Sequence, residues 1–93
     1  MALDIIWTKE ARAGLADSIA FLEKRGNETL LQQFSQQLEK KLELIKEYPQ
    51  LYQKSDRLEG ARRCVIDKHH SLLYSYDRVF IYILALWDSR QGS

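Results

Sequence analysis

The chain has one cysteine and one proline in 93 residues. A lone Cys64 excludes an internal disulfide and any cysteine-rich zinc site. Within an apolar strand it reads as a small core hydrophobe. No stretch is rich in proline, glycine or serine, and no segment repeats, so nothing marks a linker or a solenoid. Long hydrophobic runs are missing too. The longest, Val79 to Trp87, is nine residues, far short of the roughly 20 that cross a bilayer as a helix. The opening, MALDIIW, has neither a basic start nor an extended apolar stretch. No secretory signal is visible, so the expected location is the cytoplasm, with no membrane partner. There is no excess of one charge: 14 Lys/Arg stand against 13 Asp/Glu, a net +1. That argues against a surface built mainly to grip phosphates. The balance is −1 over residues 1–50 (7 against 8) and +2 over 51–93 (7 against 5), which points any anionic partner to the second half.

What remains is 45% hydrophobic and 29% charged, the composition of an ordinary globular chain. Its length suits one domain, residues 1–93, with a single modest core. Val79 to Trp87 reads VFIYILALW, rich in the residue types that fit a pleated surface. Without polar alternation it reads as a central strand covered on both faces. Regular alternation would point Val79, Ile81, Ile83, Ala85 and Trp87 one way and Phe80, Tyr82, Leu84 and Leu86 the other. Charge returns at Asp88-Ser89-Arg90, so the strand delivers a charged tip to solvent.

Upstream, Leu3 to Trp7 reads as a short strand. Thr8 is an N-cap and Glu10 lies in the first turn, so a helix is expected from about Lys9 to Lys24, with Ala11, Leu15, Ile19 and Leu22 as its apolar stripe. Gly14 within it costs roughly 1 kcal/mol against Ala, and close packing would account for it. Gly26-Asn27 stops one helix and starts the next, Gly as a left-handed cap and Asn as an N-cap. The second helix should run from about Glu28 to Tyr48, burying Leu31, Phe34, Leu38, Leu42 or Lys41, Ile45 and Tyr48, and Pro49 ends it. A polar connector, Gln50 to Gly60, has some strand character at Leu51-Tyr52. Ala61 to His69 reads as a second strand and Leu72 to Tyr76 as a third, with Tyr74 and Tyr76 on one face. Asp77-Arg78 forms a tight joint into the last strand. The expected fold is α+β, in the order β-α-α-β-β-β: an antiparallel sheet with an N-terminal helical hairpin packed on one face.

Several local pieces, in this order, resemble the RelE/ParE superfamily of bacterial toxins from type II toxin–antitoxin modules. They are the opening strand with Thr8, Tyr48-Pro49 closing the second helix, and Gly60-Ala61-Arg62-Arg63 leading the second strand. Leu73-Tyr74-Ser75-Tyr76 follows, then Leu86-Trp87-Asp88-Ser89-Arg90-Gln91 at the end. The resemblance implies a toxin that harms its own host when released, and a cognate antitoxin that wraps it. RelE-like members cut messenger RNA, usually on the ribosome. ParE-like members bind DNA gyrase and perform no catalysis of their own.

RNA cleavage needs a base, cations to stabilise the charged transition state, and an acid for the leaving oxygen. The candidates are Arg62, Lys68, His70 and Arg90. On a regular strand Arg62, Lys68 and His70 share a face with Cys64 and Ile66, and Arg63 and His69 take the other. Adjacent histidines then face opposite ways and no third ligand is evident, so neither a metal site nor a cofactor is expected. A net charge of +1 is weak for work on a polyanionic ribosome. The RNA-cutting branch often ends in a Tyr or His-Tyr, and no aromatic follows Trp87 here. The sequence therefore favours a ParE-like protein that acts by binding, with gyrase as the partner implied by the resemblance. The alternative is a RelE-like endoribonuclease with ribosome and messenger RNA as partners; a further one is an inactive relic that binds only an antitoxin. The expected target-binding residues are Arg62, which matches an arginine common in the family, with Arg63, Trp87 and Arg90. Trp87 is expected in the core more than at the surface. Phe21, Leu30 and Leu44 lie off the main helical stripes and are the residues expected to meet the antitoxin. The sequence leaves open a homo-oligomer or a toxin–antitoxin hetero-oligomer.

Overall fold

A computed structural model describes residues 2–26 and 28–90. The cap expected at Asn27 and the match at Gln91 lie outside the described residues. The order is β1 (Asp4–Trp7), α1 (Lys9–Lys24), α2 (Glu28–Glu47), β2 (Arg62–Val65), β3 (His70–Tyr76) and β4 (Phe80–Asp88), as the sequence led one to expect. The strands form one sheet in the spatial order β1-β4-β3-β2, so β4 is an interior strand.

The sheet is mixed where an antiparallel one was expected. β2, β3 and β4 run antiparallel, but β1 pairs with β4 in parallel, Ile5 opposite Ile81 and Trp7 opposite Ile83. The two helices between β1 and the rest return the chain to the same end of the sheet, which permits that pairing. Thr8 joins helix to sheet with one side chain. Its Oγ1 accepts from Ala11 N at 3.2 Å, capping α1, and donates to the Ile83 carbonyl at 2.7 Å.

Both helices lie on one face. Ala11, Ser18 and Leu22 of α1 are buried, and Leu15 and Ile19 half-buried. Gly14 explains how close the helix comes to the sheet: a Cβ there would collide with the backbone oxygen of Leu86. α2 buries Phe34, Leu38 and Ile45. Tyr48, expected on that apolar stripe, lies just past the end of the helix at Glu47 and is 61% exposed. Gly26 closes α1 with φ +67°, the left-handed backbone expected of it.

β4 carries the largest correction. Its register with β3 runs Leu72↔Leu86 and Leu73↔Ala85, then Tyr74↔Ile83, so Leu84 is an extra residue, a β-bulge. A one-residue insertion reverses which way every later side chain points. Ile81 and Ile83 face the helices before the bulge, and Leu86 and Asp88 face them after it. Trp87 is thereby turned out of the core to a half-buried place on the open face. Coverage on both faces does not hold either, since Phe80, Tyr82, Leu84, Ala85 and Trp87 remain half-buried.

The connector holds no strand at Leu51-Tyr52. Its pairing comes at Lys54, bridged antiparallel to Arg62, with Arg63 N donating to Gln53 O at 3.0 Å. β2 itself stops at Val65, so Lys68 and His69 belong to the turn before β3 and the long face expected from Arg62 to His70 is broken. The β3–β4 joint is held by Asp77, whose Oδ1 accepts from Val79 N and Phe80 N, each at 2.8 Å.

Candidate functional site

The described residues gather their buried charge at one end of the helix-covered face. His70 begins β3 opposite Asp88, the last residue of β4. Asp67 reaches the imidazole from the β2–β3 turn: its Oδ1 accepts from His69 N at 2.8 Å and His70 N at 2.9 Å, and lies 2.9 Å from His70 Nδ1. An ionised carboxylate only accepts, so Nδ1 carries a proton. His70 Nε2 is 3.2 Å from Asp88 Oδ2, within ion-pair reach but off the line of a hydrogen bond. The Phe34 ring lies against the imidazole, centroids 4.2 Å apart. His70 is 2% exposed.

Arg90 closes the cluster. Its Nε and Nη2 donate to the two oxygens of Asp88 at 3.0 and 2.8 Å, and its own backbone N donates to Oδ1 at 2.8 Å. The bidentate fork is the strong form of this pair. The guanidinium also stands 5.0 Å over the Phe21 ring of α1. Burial works to raise the carboxyls of Asp67 and Asp88. The hydrogen bonds from His69 and His70 in one case, and from Arg90 in the other, with the charge of His70 in both, outweigh it and hold each below the usual carboxylate range. The Asp88 contact in turn raises Arg90.

Beside this cluster runs a groove of about 770 Å³ between α1, α2 and the β2–β3 turn. Lys68, His70 and Arg90 line it, so three of the four residues considered for RNA cleavage come together. Arg62 does not join them. It pairs with Tyr74, well along β3 from His70. Its Nη1 donates to Tyr52 O at 2.7 Å, with the Tyr76 ring 6.0 Å below the guanidinium, so it straps the connector to the sheet. The hydroxyl of buried Tyr74 donates to Pro49 O at 2.7 Å, and burial pushes its pKa up to about 12. Burial likewise raises the Cys64 thiol, so Cys64 is no ready nucleophile. Among the described residues no cluster of three metal-ligating side chains occurs.

With this geometry in hand, the family model of the ParE toxin of the type II toxin–antitoxin system parDE matches residues 5–92. The chain belongs to the ParE toxin family. Membership makes it the toxin of a type II toxin–antitoxin system and implies an antitoxin as partner. No curated protein matches the chain closely. No helix among the described residues is long and apolar enough to cross a membrane.

In this ParE-family chain the three residues expected to meet an antitoxin are all half-buried. Leu30 lines the groove and packs against the core, and the Phe21 ring lies under the Arg90 guanidinium. Leu44 lies 14 positions further along α2, about 21 Å at the helical rise. On the open face Arg63 meets Trp87, whose expected place was the core. Arg57, which no spacing or motif singles out, joins them from the connector. Asp67 was also missed, although an Asp three residues before a His in a polar turn is a signal for such a bond.

Proposed function

We propose that the chain arrests its host by binding DNA gyrase, without catalysis, and that a cognate antitoxin neutralises it. Family membership carries the toxin assignment. The observation that favours binding over catalysis is the state of His70. Its Nδ1 is engaged by Asp67, its Nε2 faces Asp88, and Phe34 covers the ring. A general base must reach the proton it takes, and this imidazole is spent on holding the end of the sheet. Arg90 is similarly committed to Asp88, so it is no free phosphate clamp. The antitoxin's place is along the helical hairpin, covering Phe21, Leu30 and Leu44 with an amphipathic helix.

One observation speaks for RNA cleavage: Lys68, His70 and Arg90 line a single groove. The test is gyrase supercoiling of relaxed plasmid with the purified chain added. Loss of supercoiled product at near-stoichiometric toxin supports the reading. Unimpaired supercoiling, at concentrations where the chain still stops growth, overturns the choice of target.

A further inference from the structure

The bulge at Leu84 sends Trp87 to the open face, where it lies in one cross-strand row with Ser71 and Val65. Two guanidiniums stack on its ring. That of Arg57 is 5.0 Å from the centroid and that of Arg63 5.8 Å, and they arrive from different segments, the connector and β2. Among the described residues neither has a carboxylate within salt-bridge range, whereas Arg90 on the covered face has one. Val65, in the same row as Trp87, is 51% exposed.

We propose that this patch of Arg57, Arg63, Val65 and Trp87 is the surface on which the toxin docks a carboxylate-bearing region of its host protein target. The proposal rests on the reading of the chain as a binding toxin. Charge complementarity argues for the occupant: two cations stand ordered and unneutralised against one indole, beside the exposed Val65. Stacking on the indole fixes two long side chains before any partner arrives, which lowers the ordering cost of binding. Tryptophan and arginine around an apolar centre are also the residues that concentrate binding energy in protein interfaces. A nucleic acid fits less well. A phosphate track needs more than two cations and a base needs a free ring face, and here only two arginines gather and both lie against the ring.

The test compares growth arrest on expression, and gyrase inhibition in vitro, for four chains. They are the natural chain, Arg57→Glu/Arg63→Glu, Val65→Glu, and Lys9→Glu/Lys40→Glu as a control. The control changes net charge by the same −4 at two exposed helical positions. Thermal unfolding verifies that each is folded, and Val65→Glu, at an exposed site, guards against misfolding of the double variant. The expected result is at least a tenfold loss of potency for the two patch variants and none for the control. Full potency in folded patch variants overturns the docking surface and leaves the binding reading standing. Growth arrest lost in patch variants, with gyrase untouched by the natural chain, supports the surface and moves the target elsewhere. If the natural chain neither arrests growth nor inhibits gyrase, the toxin reading falls and the surface with it.

Discussion

Arg63 and Arg90 stand on opposite faces of the same sheet, and what differs is the group that holds each guanidinium. Arg90 is gripped by both oxygens of buried Asp88, which also faces His70. Arg63 rests on the Trp87 ring and reaches Ser71 Oγ at a long 3.5 Å. The first arrangement neutralises the charge inside the molecule and serves the fold. The second orders the side chain and leaves its charge for a partner. An arginine at a strand end is therefore weak evidence for a binding role until its own acceptors are known.

The covered face should break most abruptly at Gly14. A methyl group there meets the Leu86 backbone, which cannot swing aside, so Gly14→Ala should lose about 3 kcal/mol, at the upper end of overpacking costs, in urea unfolding. Asp88→Asn should follow closely. It leaves Arg90 without its ionic partner and His70 Nε2 beside an uncharged group; Asp88 is buried but Arg90 is exposed, so the cost should be about 2 kcal/mol, below that of a fully buried pair. A change below 1 kcal/mol would mean the cluster is not holding the sheet end.

Acid should separate the two faces further. Asp67 and Asp88 titrate below the usual range in the folded chain. Their contribution is fully present above the unfolded carboxylate range, about pH 4, and is lost as pH falls through the lowered folded values. Asp88→Asn should flatten stability against pH in that window. Asp77, also lowered by its turn hydrogen bonds, should leave a residual slope. Arg57→Ala and Arg63→Ala should leave the acid limb unchanged. In stability they sit at the small end, each below about 1 kcal/mol as expected for exposed cation–π contacts. A larger loss would show that the open-face arginines are structural after all.

The sequence was most legible where the cause is local. Thr8, Gly26 and Pro49 mark helix limits through caps and a missing donor, and α1 spans Lys9–Lys24 as the spacing implies. The apolar run made β4 an interior strand for the same kind of reason. The bulge at Leu84 was hidden, because no glycine or polar residue marks it, and every facing after it was inverted. The parallel pairing of β1 was hidden as well, since it is fixed by where two helices return the chain. At the site, His70 and Arg90 were legible as charged residues near strand ends. The local bonds, Asp67 to His70 and Asp88 to Arg90, were open to reading from spacing; the cross-strand approach of His70 to Asp88 was not, because it depends on the shifted register. The Arg57 contact with Trp87 is set by the path of an irregular connector, which no periodicity reports.

Whether harm to the host involves a broken bond can be read from ribosome-bound message by primer extension after incubation with the purified chain. Full-length message at toxin concentrations that inhibit gyrase is the expected outcome. Cuts at defined codons that disappear in a folded His70→Gln variant would contradict it and make the groove a catalytic site.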